Sequence, residues 1–143
     1  MNLKDKNIIL CVSGSIAAYK ACDIASRLVK KGASVHVLMT ENAKKFVAPL
    51  TFSSLTGNNV CDMWEDHEYK IGHIALAKLA DLVIVAPATA NIIAKFAHGI
   101  ADDLLTATVL ATKAPVVIAP AMNTGMLENS VTLKNIEFLK SVG

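Results

Sequence analysis

Residues 81–91 read D-L-V-I-V-A-P-A-T-A-N, and residues 115–123 echo them as P-V-V-I-A-P-A-M-N. In each, an apolar run of the type buried on both faces enters Pro-Ala and ends on an Asn. Two strands of this kind, each followed by helix-forming sequence, predict parallel neighbours whose carboxyl ends carry small residues and an amide at the same edge. In open α/β sheets that edge is where ligands bind.

Working outward, residues 7–12 form another continuous apolar run, I-I-L-C-V after Asn7, broken by Ser13-Gly14-Ser15. Over 16–31 the apolar residues Ile16, Ala17, Ala21, Ile24, Ala25 and Leu28 recur at helical spacing, and Lys30-Lys31-Gly32 supplies cations and a glycine cap. Residues 33–39 predict a second strand. Thr40 is placed to cap a short helix over 41–46, and Pro49 opens another that Gly57 ends. Residues 58–69 lack periodicity and read as a loop or a short strand at Val60. Helices follow over 72–80, 90–97, about 101–112 and 131–140, with strands at 82–86 and 115–119. This rhythm predicts a single α/β domain over 1–143, a doubly wound parallel sheet of the Rossmann-like or flavodoxin-like kind with right-handed crossovers. It also calls for one more strand after residue 143.

Composition narrows the class. The chain has 143 residues, 53% hydrophobic but only 5% aromatic, enough for one core. A mean hydropathy of +0.45 predicts apolar surface buried between subunits. The net charge of +2, from 14 basic and 12 acidic residues with no basic stripe, argues against nucleic acid as a partner. Apolar runs fall short of membrane-spanning length and no leader is evident, so a soluble, cytoplasmic protein without a membrane partner is expected. Cys11, Cys22 and Cys61 make no C-x-x-C pair, and no His, Cys or carboxylate spacing suggests a metal.

Several positions carry both a chemical and a structural reading. Gly14-Ser15-Ile16 joins the first strand to the first helix, where backbone N–H groups could cradle a phosphate or merely make a tight turn. Neither G-x-G-x-x-G nor G-x-x-x-x-G-K-[ST] is present, which favours a mononucleotide over a dinucleotide or a nucleoside triphosphate. Thr40 could cap a helix or reach a ligand. Thr89, Ala90 and Asn91 could form an ordinary N-cap or let a flat ring approach the backbone. His73 follows Gly72 at a predicted helix start, a setting for a neutral imidazole acting as a base, or for a surface or capping residue. His36, His67 and His98 read as structural or solvated. Asp102-Asp103 suits the positive end of a helix or a contact across an oligomer seam.

Taken together, Gly14-Ser15-Ile16-Ala17-Ala18-Tyr19-Lys20, His73-Ile74, Ala86-Pro87-Ala88-Thr89-Ala90-Asn91, the Gly99–Leu105 run G-I-A-D-D-L-L and Pro120-Ala121-Met122-Asn123 closely resemble the phosphopantothenoylcysteine decarboxylase family, within the wider group of homo-oligomeric flavin-containing cysteine decarboxylases. The match covers nearly the whole chain in order. It implies FMN, with Gly14, Ser15 and Ile16 around its phosphate, Thr40 nearby, and Thr89, Ala90, Asn91 and Ala121 lining the flavin site. It further implies His73 as the base, Asn123 and Met122 on the substrate, with Asn123 holding the substrate carboxylate, and a trimer or a dodecamer with active sites where subunits meet.

The implied reaction decarboxylates the cysteine end of phosphopantothenoylcysteine to phosphopantetheine, a step in coenzyme A synthesis. An alkyl carboxylate has no electron sink, so oxidation of the thiol-bearing carbon to a thioaldehyde makes loss of carbon dioxide feasible, and the hydride is then returned. The chain resembles either a standalone decarboxylase or the front part of a bifunctional decarboxylase and phosphopantothenate–cysteine ligase. Alternatives in the same group are a peptidyl-cysteine decarboxylase and a non-catalytic flavin-binding regulatory subunit. Two departures stand out. Leu127 replaces a Trp common after the M-N-x-x-M segment, and the family's acid Cys lies on a flap beyond residue 143, so none of the three cysteines matches it.

Overall fold

The unbroken apolar sequence of β1 (Asn7–Val12) is explained by helices on both faces of the sheet it centres. Ile8, Leu10 and Val12 pack on one side with Ala18, Ala21, Ala25 and Phe52. Ile9 and Cys11 turn to the other, against Leu76, Ile92, Ile93, Leu104 and Leu105. The computed structural model describes residues 2–61 and 72–143. His67 and the rest of the acidic 62–69 stretch therefore lie outside the described residues.

In chain order β1 is followed by α1 (Ala18–Lys30), β2 (Ser34–Met39), a single 3-10 turn (Ala43–Lys45), α2 (Pro49–Thr56), α3 (Gly72–Leu79), β3 (Leu82–Ala88), α4 (Ala90–Ala97), α5 (Leu104–Ala111), β4 (Val116–Pro120), α6 (Thr124–Leu127) and α7 (Ser130–Val142). All strand pairs are parallel, in the order β2-β1-β3-β4. The expected doubly wound α/β sheet is what forms. From β1 the chain moves outward to β2, and from β3 it moves the opposite way to β4. The carboxyl ends of β1 and β3 therefore diverge, which opens a crevice at this switch point.

Local differences from the sequence expectation have physical causes. Helix α1 starts at Ala18 rather than Ile16 because Ser15 forms a turn first: its Oγ accepts from Ala17 N–H at 3.2 Å and its carbonyl from Ala18 N–H at 2.9 Å. Helix α5 starts at Leu104, three residues after the expected point, because Asp103 stays extended as its N-cap. The short α6 was not anticipated; it is a single turn capped by Asn123, too brief for a periodic signal. Near Val60, among the described residues, the structure has an isolated parallel bridge from Cys61 to Leu38. Gly32 and Gly57 end their helices at φ +92° and +74°, the left-handed region where glycine is favoured.

Candidate functional site

The switch point is stitched shut at its base by Ser13, the first residue after β1. Its hydroxyl donates to the Pro87 carbonyl at 2.6 Å and accepts from Thr89 N–H at 3.2 Å, and the residue is almost wholly buried. Thr89 in turn caps α4, its Oγ1 accepting from Ile92 N–H at 3.2 Å. A helix start leaves its first N–H groups outside the intrahelical ladder, so those of Ala90 and Asn91 face outward at the positive end of α4.

Above this base lies a cavity of about 460 Å³, within the range typical of small-molecule sites. Its wall brings together eight of the eleven residues singled out from sequence: Gly14, Ser15, Thr40, Thr89, Ala90, Asn91, Ala121 and Met122. The other three stand outside the wall. Ile16 follows the turn and is 76% exposed. Asn123 adjoins Met122 and caps α6, its Oδ1 accepting from Gly125 N–H at 2.9 Å. His73 is the second residue of α3, whose first residue, Gly72, packs against Leu104 of the cavity wall; a Cβ on Gly72 would lie 3.4 Å from Leu104 Cδ1.

Gly14 is required for space. A Cβ there would fall 2.5 Å from Asn42 Cβ and 2.9 Å from the Asn42 carbonyl carbon, so the turn after β1 and the loop after β2 are in direct contact. Thr40 shapes that loop by capping it, its Oγ1 accepting from Ala43 N–H at 3.1 Å. The Gly14-Ser15 turn and the Thr40–Asn42 loop thus meet at the cavity wall, to which both Ser15 and Thr40 belong.

Sequence reasoning missed Ser13, Asn42, Lys95 and Met126 as wall residues, and read Asp103 as a helix-end charge or an oligomer-seam contact rather than as part of the wall. Met126 lies in the short α6, which gives no periodic signal; Ser13 and Asn42 are brought in by strand register and carry no local signature. Asp103 caps α5 through a reciprocal pair with Thr106, Oδ1 accepting from Thr106 N–H at 2.7 Å and Thr106 Oγ1 accepting from Asp103 N–H at 3.1 Å. Its neighbour Asp102 pairs with Lys95, both carboxylate oxygens 2.8 Å from Nζ.

Burial, and secondarily the Asp103 carboxylate, push the Cys11 thiol far above its ordinary range, and burial also raises Cys22. Neither is a ready thiolate. His36 is buried beside Ser34, and His98 Nδ1 sits 2.8 Å from the Ala94 carbonyl at the end of α4. Among the described residues no cluster of His, Cys, Asp or Glu is arranged for a metal, and no helix is long and apolar enough to cross a membrane.

Comparison with known proteins adds to this geometry. The chain is 53% identical over 143 residues to the coenzyme A biosynthesis bifunctional protein CoaBC of Bacillus subtilis, matching 99% of this chain and 35% of that protein. It is 52% identical over 142 residues to a "probable phosphopantothenoylcysteine decarboxylase" of Streptococcus mutans, 96% of this chain and 79% of that one. The chain thus spans about a third of the length of the bifunctional relative.

Among solved structures, the FMN-dependent cysteine decarboxylase SpaF superposes with a TM-score of 0.93 at 37% identity, over 99% of this chain and 82% of that one. A phosphopantothenoylcysteine decarboxylase variant complexed with pantothenoylaminoethenethiol superposes with a TM-score of 0.87 at 28% identity, over 98% and 80%. The sequence profile described as Flavoprotein matches residues 1–143 from end to end, and this chain belongs to the Flavoprotein family.

Proposed function

We propose that this chain is the FMN-dependent domain of a carboxy-lyase that decarboxylates phosphopantothenoylcysteine to phosphopantetheine in coenzyme A synthesis. The observation that carries the reading is the convergence on one cavity of the Gly14-Ser15 turn, the Thr40 loop and the exposed helix start at Ala90 and Asn91. A mononucleotide needs an anion cradle and a slot for a flat ring; the Gly14-Ser15 turn and the α4 helix start support the first, and the small residues Ala90 and Ala121 in the wall support the second. Relatives at 53% and 52% identity bear matching names.

Gly14, Ser15 and Ile16, with Thr40, would hold the FMN phosphate, and Thr89, Ala90, Asn91 and Ala121 the ring. When bound, FMN supplies the electron sink that the substrate's alkyl carboxylate lacks. Asn123 would hold the substrate carboxylate: its Oδ1 is engaged by Gly125 N–H, so its amide N–H donors are the end that meets an anion. Met122, in the wall beside it, would pack on the substrate. His73 is assigned as the base that takes the substrate thiol proton. The resemblance implies a Cys on a flap as the final acid; Cys11 and Cys61 are buried within the core and burial raises the Cys22 thiol, so none of the three is assigned that role.

Further parts of the reading concern assembly and location. A homo-oligomer, trimer or dodecamer, is supported by the exposed apolar side chains of Ile16, Tyr19 and Leu50. A further strand beside β4 is supported by the groove of about 790 Å³ along that edge, floored by Ile93, Phe96, Val116 and Ile118. A cytoplasmic location fits a small-molecule metabolic role.

Carbon dioxide release from phosphopantothenoylcysteine by the FMN-loaded full-length protein tests the proposal, and no release sinks it. Mass loss from a cysteine-terminated peptide instead would favour a peptidyl-cysteine decarboxylase. Bound flavin without either activity would favour a regulatory subunit. His73→Asn is expected to abolish turnover while leaving the flavin spectrum intact; unchanged turnover removes His73 as the base.

A further inference from the structure

Lys95 is the one basic residue in the cavity wall among the described residues. It lies four positions after Asn91 on α4, hence on the same helix face, one turn from the helix start that faces the cavity. Its ammonium is held at 2.8 Å from both oxygens of Asp102, with the Lys95 side chain 23% exposed and that of Asp102 55%. The main chain reinforces the arrangement, because Ile100 N–H donates to the Lys95 carbonyl at 2.9 Å. Two other charges line the same wall. Glu41 is mostly exposed and paired with Lys44 at 2.7 Å, and Asp103 is committed to capping α5.

An ion pair in this position admits two roles that differ in physics. As a latch it would only hold the loop between α4 and α5. As a source of potential it would act on a redox ring bound in the cavity, because a flavin gains negative charge on reduction and a nearby cation favours that form over the neutral oxidised one. The placement points to the second. Lys95 belongs to the cavity wall and is the less exposed member of the pair, whereas Asp102 is more exposed and absent from the lining. Of the pair, the wall therefore includes only the positive member, and it also holds the positive end of the α4 dipole at Ala90 and Asn91.

We infer that Lys95 is an electrostatic positioning residue that favours reduction of the cofactor held in this cavity, and that Asp102 moderates its charge. The inference rests on the FMN reading above and adds to it a residue that sets the cofactor's potential. Lys95→Met and Asp102→Asn both break the pair, so a latch predicts that both disturb the site in one direction. The electrostatic role predicts opposite signs: removing the cation disfavours reduced flavin, while removing the carboxylate leaves the cation uncompensated and favours it.

The experiment measures FMN midpoint potential by dye-referenced reduction of the holoprotein, together with the dissociation constants of oxidised and reduced FMN and the thermal midpoint. Lys95→Met is expected to raise the ratio of reduced to oxidised dissociation constants roughly tenfold, which for a two-electron couple lowers the potential by about 30 mV. Asp102→Asn should move the ratio the other way, and Lys95→Arg should stay near the unaltered protein. If Lys95→Met unfolds, Lys95→Gln takes its place. Shifts of the same sign in both variants, or unmoved potentials with FMN bound, overturn the tuning role alone. Failure of the unaltered protein to bind FMN overturns the flavin reading and this inference with it.

Discussion

The Ser13 hydroxyl and the Pro87 carbonyl, 74 residues apart, meet at 2.6 Å and hold together the ends of β1 and β3 where their chains diverge. The same oxygen accepts from Thr89 N–H, so one buried atom fixes both the strand ends and the residue that caps α4. Ser13→Ala removes that atom with little change in volume. The Thr89 N–H then lacks its partner, at a cost of about 1–3 kcal/mol. Denaturant unfolding should show this as a lower midpoint with an unchanged slope, accompanied by weaker FMN binding. Unchanged stability and affinity would mean that the junction is held by packing and by the main-chain bond from Ser13 N–H to the Pro87 carbonyl, at 3.4 Å, rather than by the hydroxyl.

Gly14→Ala tests the contact between the first turn and the loop after β2. The added methyl meets Asn42 Cβ at 2.5 Å and main chain at 2.9 Å, so the loop must shift. Overpacking of this kind costs about 1–3 kcal/mol, and if it falls on binding the FMN affinity drops by roughly 5- to 150-fold. Trimming Asn42→Gly in the same protein should recover only part of the loss, because the 2.9 Å contact is to backbone. Full recovery, read by flavin fluorescence titration, would show that the side chain alone causes the clash.

The legible parts of this fold were those whose signal is local. Among the described residues, apolar runs flanked by Gly, Pro and Lys located every strand and six of the seven helices, since burial on both faces leaves a mark within a few residues, as at Ile8, Ile9 and Leu10. Eight cavity residues were legible for the same reason: they sit at strand ends, and strand ends share an edge in a parallel sheet. Ser13 and Asn42 were not legible as wall residues, because their roles come from β1–β3 and β1–β2 register, which no spacing in the chain encodes. The α5 boundary failed because Asp102 and Asp103 suit a first helical turn as well as a cap. Only the reciprocal pair with Thr106 decides between them.

That pair gives a graded test. Asp103→Ala deletes the acceptor for Thr106 N–H and should destabilise by about 0.5–2 kcal/mol, whereas Asp103→Asn keeps an oxygen in place and should cost far less. Thermal unfolding of the two variants orders them. Equal losses would show that the carboxylate charge, rather than the cap, is what α5 requires.

The Asp81 carboxylate provides a pH test of how β1 is anchored. It accepts from Asn7 N–H at 2.8 Å and lies 3.2 Å from Lys6 Nζ, and these two contacts, the backbone bond first, hold its carboxyl below the usual Asp value. A carboxylate with a depressed folded-state pKa contributes stability above its unfolded pKa of about 3.9 and loses it as pH falls through the lower folded value. The stability difference between the unaltered protein and Asp81→Asn should therefore be constant near neutrality and shrink on acidification below about pH 4. High salt should trim only the Lys6 share, since screening at 1 M acts over about 3 Å and spares the direct backbone hydrogen bond. A difference independent of pH would mean that the neutral amide serves Asn7 as well as the carboxylate does, and that charge has no part in holding the start of β1.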